Sequence, residues 1–278
     1  MTKLIALDDG HGMETAGKRT PAIPELGGRV IRENEFNREV VKYLDIELKR
    51  CGFKTLLVAP TDEDTPLSTR TNLANSRKAD AFISIHYNAY DGNFDGYDPE
   101  GLSVHIYPGS KEGRKLAECV LKYLKEGTPQ KNRGIVESNF HVLRETNMPA
   151  ILSENGFMDN KREALLMLNV DFQKEVAREH AKGICDYFGV KYVPESTTSS
   201  TTGSLYRVQT GAFSKKINAD KLAAELKKKG FDTYIVQADG LFKVQVGAYS
   251  QKANADAMAA KLKAAGYDTY IITNYGSK

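Results

Sequence analysis

Three stretches of the chain end an apolar run in residues that do chemistry. "LIALDDGHG" (residues 4–12) runs into Asp8, Asp9 and His11, "AFISIH" (81–86) into His86, and "AILSE" (150–154) into Glu154. Imidazoles and carboxylates are the side chains that hold metal ions and move protons near neutral pH. In an open α/β sheet, ligands sit beyond the carboxyl ends of the strands. If these runs are strands of one sheet, two imidazoles and a carboxylate meet at one edge. A lone histidine is as readily a hydrogen-bonded structural residue, and the small neighbours of these two (Gly10 and Gly12, or Asn88 and Ala89) leave both readings open. His105 inside a strand pattern, His141 ahead of "VLRE" and His180 on a charged helix are assigned to structure or surface.

The elements that must position these residues follow from periodicity. "KLIALDD", "KTLLVAP", "AFISIHY", "LSVHIYP", "FHVLRE" and "AILSENGF" read as strands. Between them lie amphipathic helices. One follows Glu35, where Phe36, Val40, Leu44 and Leu48 recur every fourth residue beside Val41. Another opens at "TPLSTR", with Thr65 as N-cap and Pro66 at the first helical position. "SKEGRKLAECVLKYLKEG" and "DFQKEVAREHAKGICDYFG" supply two more. The alternation predicts an α/β domain over residues 1–192, a mostly parallel twisted sheet flanked by helices.

"VPESTTSSTTGS" (193–204) holds almost nothing that could bury itself and reads as a flexible linker. Residues 205–278 then repeat. "YRVQTGAFSKKINADKLAAELKKKGFDTYIV" from Tyr206 aligns without a gap on "FKVQVGAYSQKANADAMAAKLKAAGYDTYII" from Phe242, an offset of 36 residues. Each unit reads as strand, helix from about Asn218 or Asn254, a helix-stopping Gly230 or Gly266, and strand. Two such units make a small α+β split-βαβ sandwich of the ferredoxin-like kind. Alternation puts Val208, Thr210, Val244 and Val246 on one sheet face and Arg207, Gln209, Lys243 and Gln245 on the other. With the valines under the helices, an open face rich in amide and cationic donors is expected.

The totals narrow the function. From Ser204 onward there are 12 Lys/Arg and 6 Asp/Glu, a charge of +6; the 27 and 30 that remain give the rest −3, so the two parts face different partners. A basic split-βαβ sheet raises RNA as a partner, but RNA-recognition modules need stacking aromatics in a defined motif on the central strands. "YRVQTGAF" and "FKVQVGAY" lack that motif, so no nucleic acid is expected. No apolar run nears the ~18 residues of a membrane span, and "KLIALDD" starts without a secretory leader. The expectation is a soluble protein made in the cytoplasm, acting as a monomer. Cys51, Cys119 and Cys185 are odd in number and far apart, and read as reduced core thiols.

"DDGHG", "RENEFN", "SIHYNA" and "NRGIVESNFHVLRETNMPAILSENGF" resemble, in order and spacing, the zinc-dependent N-acetylmuramoyl-L-alanine amidases of the Amidase_3 type, from about Lys3 to Val190. That resemblance implies a peptidoglycan substrate and a Zn2+ ion held by His11, Glu33 and His86, with Glu154 catalytic. Glu33 is preferred over Glu35 on the family's spacing, Glu35 being a helix N-terminal carboxylate. Asp8 is expected to accept the second N–H of a zinc-bound histidine, and Asn88 and Arg133 to contact substrate. The sequence departs from the family in having Asp9 where a proline is usual and a longer loop, "METAGKRTPAIPELGGRV", before Glu33. The tail resembles the SPOR domain through "RVQTGAF" and "KVQVGAYS", which implies binding to peptide-stripped glycan through Arg207, Gln209, Lys243 and Gln245. Release by lysis, as for a phage endolysin or a sporulation mother-cell enzyme, fits the missing leader. Rival readings are an inactive wall-binding protein and a zinc carboxypeptidase acting within the stem peptide.

Overall fold

The structure, a computed structural model, describes residues 2–96, 98–195, 206–231, 233–238, 240–249 and 252–272. The chain divides into two compact units, Met1–Ser196 and Thr197–Lys278. Of the expected linker, residues 196–204 lie outside the described residues. Its first residue, Val193, is tied down: the carbonyl accepts from Arg50 Nε at 3.0 Å and the amide donates to Cys51 Sγ at 3.3 Å.

The first unit is built on a six-stranded sheet. In chain order the strands are β1 (Leu4–Asp8), β2 (Lys54–Leu57), β3 (Ala81–Asn88), β4 (Leu102–Ile106), β5 (Asn132–Glu137) and β6 (Ala150–Phe157). Their spatial order is β2-β1-β3-β6-β4-β5. All neighbours are parallel except β4 and β6, which run antiparallel. Central strands buried on both faces are near-continuous apolar runs, which is why β1, β3 and β6 were legible.

Among the described residues, six α-helices complete this unit: α1 (Glu33–Arg50), α2 (Leu67–Ser76), α3 (Lys111–Gly127), α4 (His141–Arg144), α5 (Lys161–Leu166) and α6 (Val170–Phe188). Helices α1, α3 and α6 cover one sheet face, where Phe36, Val40, Leu44 and Leu48 pack with Ile5, Ile83 and Ile151. Each such buried side chain stabilises the fold by about 1.5–3 kcal/mol. On the other face Ala74 of α2 and Val142 and Leu143 of α4 pack on Ala6, Phe82 and Leu152. These helices are short, at 10 and 4 residues, so part of that face stays open.

Several boundaries differ from the sequence reading. The first long helix starts at Glu33, so Glu33 sits inside its first turn, and Glu35 accepts from Arg32 N at 2.9 Å as a capping carboxylate. Helix α2 starts at Leu67 with Pro66 as its N-cap, one residue later than expected. The "FHVLRE" segment is helix α4, and the edge strand there is "NRGIVE". Short apolar runs do not separate strand from helix by periodicity, and the pairing edge of β4 was already taken by β5.

The second unit contains β7 (Tyr206–Phe213), α7 (Lys216–Lys228), β8 (Tyr234–Ala238), β9 (Leu241–Tyr249), α8 (Lys252–Ala264) and β10 (Tyr270–Ile272). Both helices begin two residues before the expected asparagines. The strand order β10-β7-β9-β8, antiparallel throughout, is that of a split-βαβ sandwich. Val208, Val244 and Val246 pack with Ala219, Leu226 and Leu262 under the helices, as expected. The opposite face is less open than expected: Gln209 is 9% and Gln245 4% exposed, and Arg207 and Lys243 are half-buried. No helix among the described residues is long and apolar enough to cross a membrane.

Candidate metal centre and active site

Register assembles the site on the open face of the large sheet. Residues paired across neighbouring strands share a face. Asp8 of β1 lies opposite Ser84 of β3, and Glu154 of β6 lies between His86 of β3 and Ser103 of β4. The three strand-ending residues therefore meet on a face of the sheet near its carboxyl edge. Helix α1 adds Glu33 from its first turn.

One ligand atom from each of His11, Glu33 and His86 lies within 4.8 Å of the other two. Glu33 Oε1 is 2.9 Å from His86 Nδ1 and also accepts from the Tyr87 and Asn37 amides at 3.1 and 3.2 Å. Its Oε2 is buried without a hydrogen-bond partner, 3.4 Å from His11 Nε2 and 3.9 Å from Lys18 Nζ. The two imidazoles meet edge-to-face with ring centroids 4.8 Å apart. Two nitrogens and a carboxylate with a buried orphan oxygen form a donor set that suits a small divalent cation with N/O preference. Glu35 takes no part, because Arg29 and the Arg32 amide occupy its carboxylate.

The polar residues around the ligands fix their orientation. Ser84 Oγ donates to Asp8 Oδ2 at 2.6 Å and lies 3.1 Å from His86 Nε2. With its proton committed to Asp8, Ser84 accepts from Nε2–H, so Nδ1 is the His86 nitrogen turned to Glu33: it donates to Oε1 while it carries a proton and offers its lone pair to an ion once that proton is lost. The expectation for Asp8 is thereby corrected: it acts on histidine through Ser84. Its other oxygen accepts from Arg70 Nη1 at 2.6 Å, an ion pair with both side chains 1% exposed. Arg70 also donates to the carbonyls of Thr65 and His11.

The backbone of the first ligand loop is held as tightly. His11 sits at φ 64°, a left-handed conformation uncommon outside glycine. Its carbonyl accepts from Asn34 Nδ2 at 3.1 Å and Arg70 Nη2 at 3.2 Å, while Asn34 and Asn37 both donate to the Gly10 carbonyl. Gly10 is required because a Cβ there would stand 2.2 Å from the His86 ring.

Charge states follow from burial. His11 is pushed down to about 4 by burial, with the Glu33 carboxylate opposing and His86 assisting. Burial pushes Glu33 up, but the His86 hydrogen bond and the charges of His86, His11 and Lys18 outweigh it and hold the carboxyl below its ordinary range. Glu154, whose Oε2 is buried and unpartnered, lies well above the usual carboxylate range through burial, with Glu33 adding and His86 opposing. One carboxylate kept ionised beside another that holds its proton readily is the pattern of an acid/base site.

The cleft above these residues, about 420 Å³, is lined by Lys18, Leu67, Phe140, His141 and Val142 as well as by His11, His86 and Glu154. Lys18 belongs to the long loop before Glu33, so that loop does reach the site. Two expected substrate contacts, Asn88 and Arg133, do not line this cleft. Asn88 accepts from the Ala89 amide at 2.8 Å and closes its own strand. Arg133 donates to the Glu100 carbonyl and stacks 5.2 Å from the centre of the Phe157 ring. His105 bonds Ser103 and Ser138, and buried His180 bonds Ser153 Oγ and the Val176 carbonyl, so both are structural. Arg70, Ser84, Asn34, Asn37 and Lys18 were not singled out from sequence.

This fold and this face of histidines and carboxylates define a hydrolase of the N-acetylmuramoyl-L-alanine amidase family, whose pattern matches residues 5–186; the SPOR domain pattern matches 202–273. The chain belongs to that family of peptidoglycan-acting cell-wall amidases and carries a SPOR domain. It is 36% identical over 244 residues to the N-acetylmuramoyl-L-alanine amidase CwlM of Bacillus licheniformis, covering 84% of this chain and 85% of that one. Identity and coverage are the same with the sporulation-specific N-acetylmuramoyl-L-alanine amidase of Bacillus subtilis strain 168. Among solved structures, the N-acetylmuramoyl-L-alanine amidase of Clostridium difficile 630 superposes with a TM-score of 0.61 at 30% identity, covering 68% of this chain and 98% of that one.

Proposed function

We propose that the chain hydrolyses the amide between the lactyl group of N-acetylmuramic acid and the L-alanine of the stem peptide, using a zinc ion held by His11, Glu33 and His86. The observation that carries this reading is the pair of buried, unpartnered carboxylate oxygens, Glu33 Oε2 beside two imidazoles and Glu154 Oε2 across from His86. When bound, zinc supplies Lewis-acid polarisation of the carbonyl and lowers the pKa of coordinated water from about 15.7 to about 7. Ser84 and Asp8 keep the His86 Nδ1 lone pair available for the ion. Glu154 takes a proton from the attacking water as its oxygen bonds to the lactyl carbonyl carbon. As the C–N bond breaks, Glu154 returns the proton to the L-alanine nitrogen, giving a carboxylate on the glycan and a free amino terminus on the peptide.

In the same reading the tail binds glycan strands from which peptides have been removed, the product of the first unit, so that each cut creates an anchoring site for the enzyme. Release onto the wall by lysis accompanies this proposal. The test is the mass of the products from purified peptidoglycan. Peptides with free L-alanine amino termini and intact lactyl-bearing glycan are expected; fragments cut within the stem peptide would point to a carboxypeptidase instead.

A further inference from the structure

The segment between His11 and Glu33 is folded onto the metal site. Thr20 N donates to the Ile31 carbonyl at 2.9 Å and Ile23 N to the Arg29 carbonyl at 3.0 Å, so the segment doubles back on itself as an irregular hairpin. Ile23 and Ile31, both 0% exposed, anchor it in the same core as Phe36. Its last hydrogen bond ties Lys18 to a ligand residue, because the Lys18 carbonyl accepts from Glu33 N at 2.9 Å. The backbone of Lys18 is thereby fixed, and only its stem swings.

Among the described residues, Lys18 and Arg70 are the lysine and arginine that line the cleft. Arg70 is engaged with Asp8, Asp64 and the carbonyls of Thr65 and His11. Lys18 is not held in this way. Its one ion-pair partner among the described residues is Glu33 Oε2, and the 3.9 Å between them is too long for a hydrogen bond. The Lys18 side chain is 41% exposed, whereas that of Glu33 is 1% exposed. Once Glu33 is a zinc ligand, its charge is offset by a dication, and the ammonium above it is left to find an anion from the cleft. The far end of the cleft is apolar: the Phe140 ring lies 5.3 Å from that of His105 on β4, with β6 and β3 between it and β1, the strand that leads to His11.

We infer that Lys18 is a specificity residue that receives a carboxylate of the stem peptide, the α-carboxyl left free by a γ-linked D-glutamate after L-alanine, so that amidation of this carboxyl weakens binding. The carboxyl carbon stands two residues beyond the scissile carbonyl, about 7 Å in an extended chain. A four-carbon lysine stem mounted beside Glu33 reaches that far. An ammonium and a carboxylate form a charge-assisted hydrogen bond, whereas a carboxamide offers only a neutral acceptor. Orientation follows: the peptide leaves the site past Lys18, and the sugar lies toward Phe140, whose ring matches the apolar face of a pyranose. The inference rests on the proposed amide cleavage.

The test is calorimetric titration of the full-length, zinc-loaded chain carrying Glu154→Gln to stop turnover. The probes are two N-acetylmuramoyl tripeptides with blocked C-termini, identical except that the α-carboxyl of the γ-linked D-glutamate is free in one and amidated in the other. The free acid should bind about 10-fold more tightly. Adding Lys18→Met should bring the free acid down to the affinity of the amide while the amide's own affinity stays within about two-fold. Equal or reversed binding of the two probes to the chain with Lys18 intact would overturn the inference and leave the amidase reading standing. So would a preference that survives Lys18→Met, or a Lys18→Met chain that loses both probes alike. Binding of neither probe with Lys18 intact would remove the amidase reading and the inference together.

Discussion

The two sheets of this protein reach a ligand site by opposite routes. On the large sheet every site residue is unique: His11, Glu33, His86 and Glu154 come from four separate segments, and the first three are held by partners from further segments. On the small sheet the candidate residues repeat, with Arg207 and Gln209 matched by Lys243 and Gln245. The difference matches the tasks. Bond hydrolysis needs an asymmetric array in which each atom has one role, so strain such as the left-handed His11 is retained and clamped. Holding a repetitive polymer needs only recurrent contacts, which a duplicated segment provides.

The comparison predicts that single changes in the first site are severe and those in the second graded. Glu154→Gln removes the proton carrier but keeps the shape, and should lower the rate of wall hydrolysis by about 10²–10⁴ while the metal stays bound. Retained activity would break the assignment. Next comes Arg70→Met: leaving Asp8 buried and unpaired should cost about 3–5 kcal/mol, measurable by denaturant unfolding.

Stability should also depend on pH through buried histidine. His180 is pushed down from 6.5 to about 4 by burial. Between these values the unfolded chain binds the proton and the native chain does not, so stability is full above pH 6.5 and is lost as pH falls toward 4. The size is about 3 kcal/mol at most, at 1.36 kcal/mol per pKa unit. Equilibrium unfolding of wild type against His180→Gln, with metal held constant by chelator, checks it; a variant with the same acid slope would contradict it. Ser84→Ala should weaken zinc about 10–100-fold with little change in fold, read by competition with a chromophoric chelator. The smallest effects belong to the tail, where Gln209→Ala and Gln245→Ala should each weaken glycan retention by less than about 10-fold and to the same degree.

Much of this was legible in the sequence, for reasons that also explain the omissions. His11, His86 and Glu154 stand out because imidazole or carboxylate at the end of an apolar run contradicts simple burial. Glu33 does not, since a glutamate at a helix start is favourable anyway; only the family resemblance marked it. Arg70, Asn34 and Asn37 lie on helices, where polar residues normally mean a solvated face, and nothing local says that these point inward. Ser84 reads as a small core residue, although its position two before His86 on the same strand puts both on one face and was a usable signal. "FHVLRE" was lost to the ambiguity of short apolar runs. In the tail, alternation gave the correct faces.

The central claim is that His11, Glu33 and His86 share one zinc ion. Anomalous diffraction from crystals of the purified protein, recorded on either side of the zinc absorption edge, tests it directly. A single strong peak at coordination distance from His11, Glu33 and His86 is predicted, absent in His86→Ala. Full hydrolytic activity in crystals or solution with no zinc peak at these residues would contradict the account.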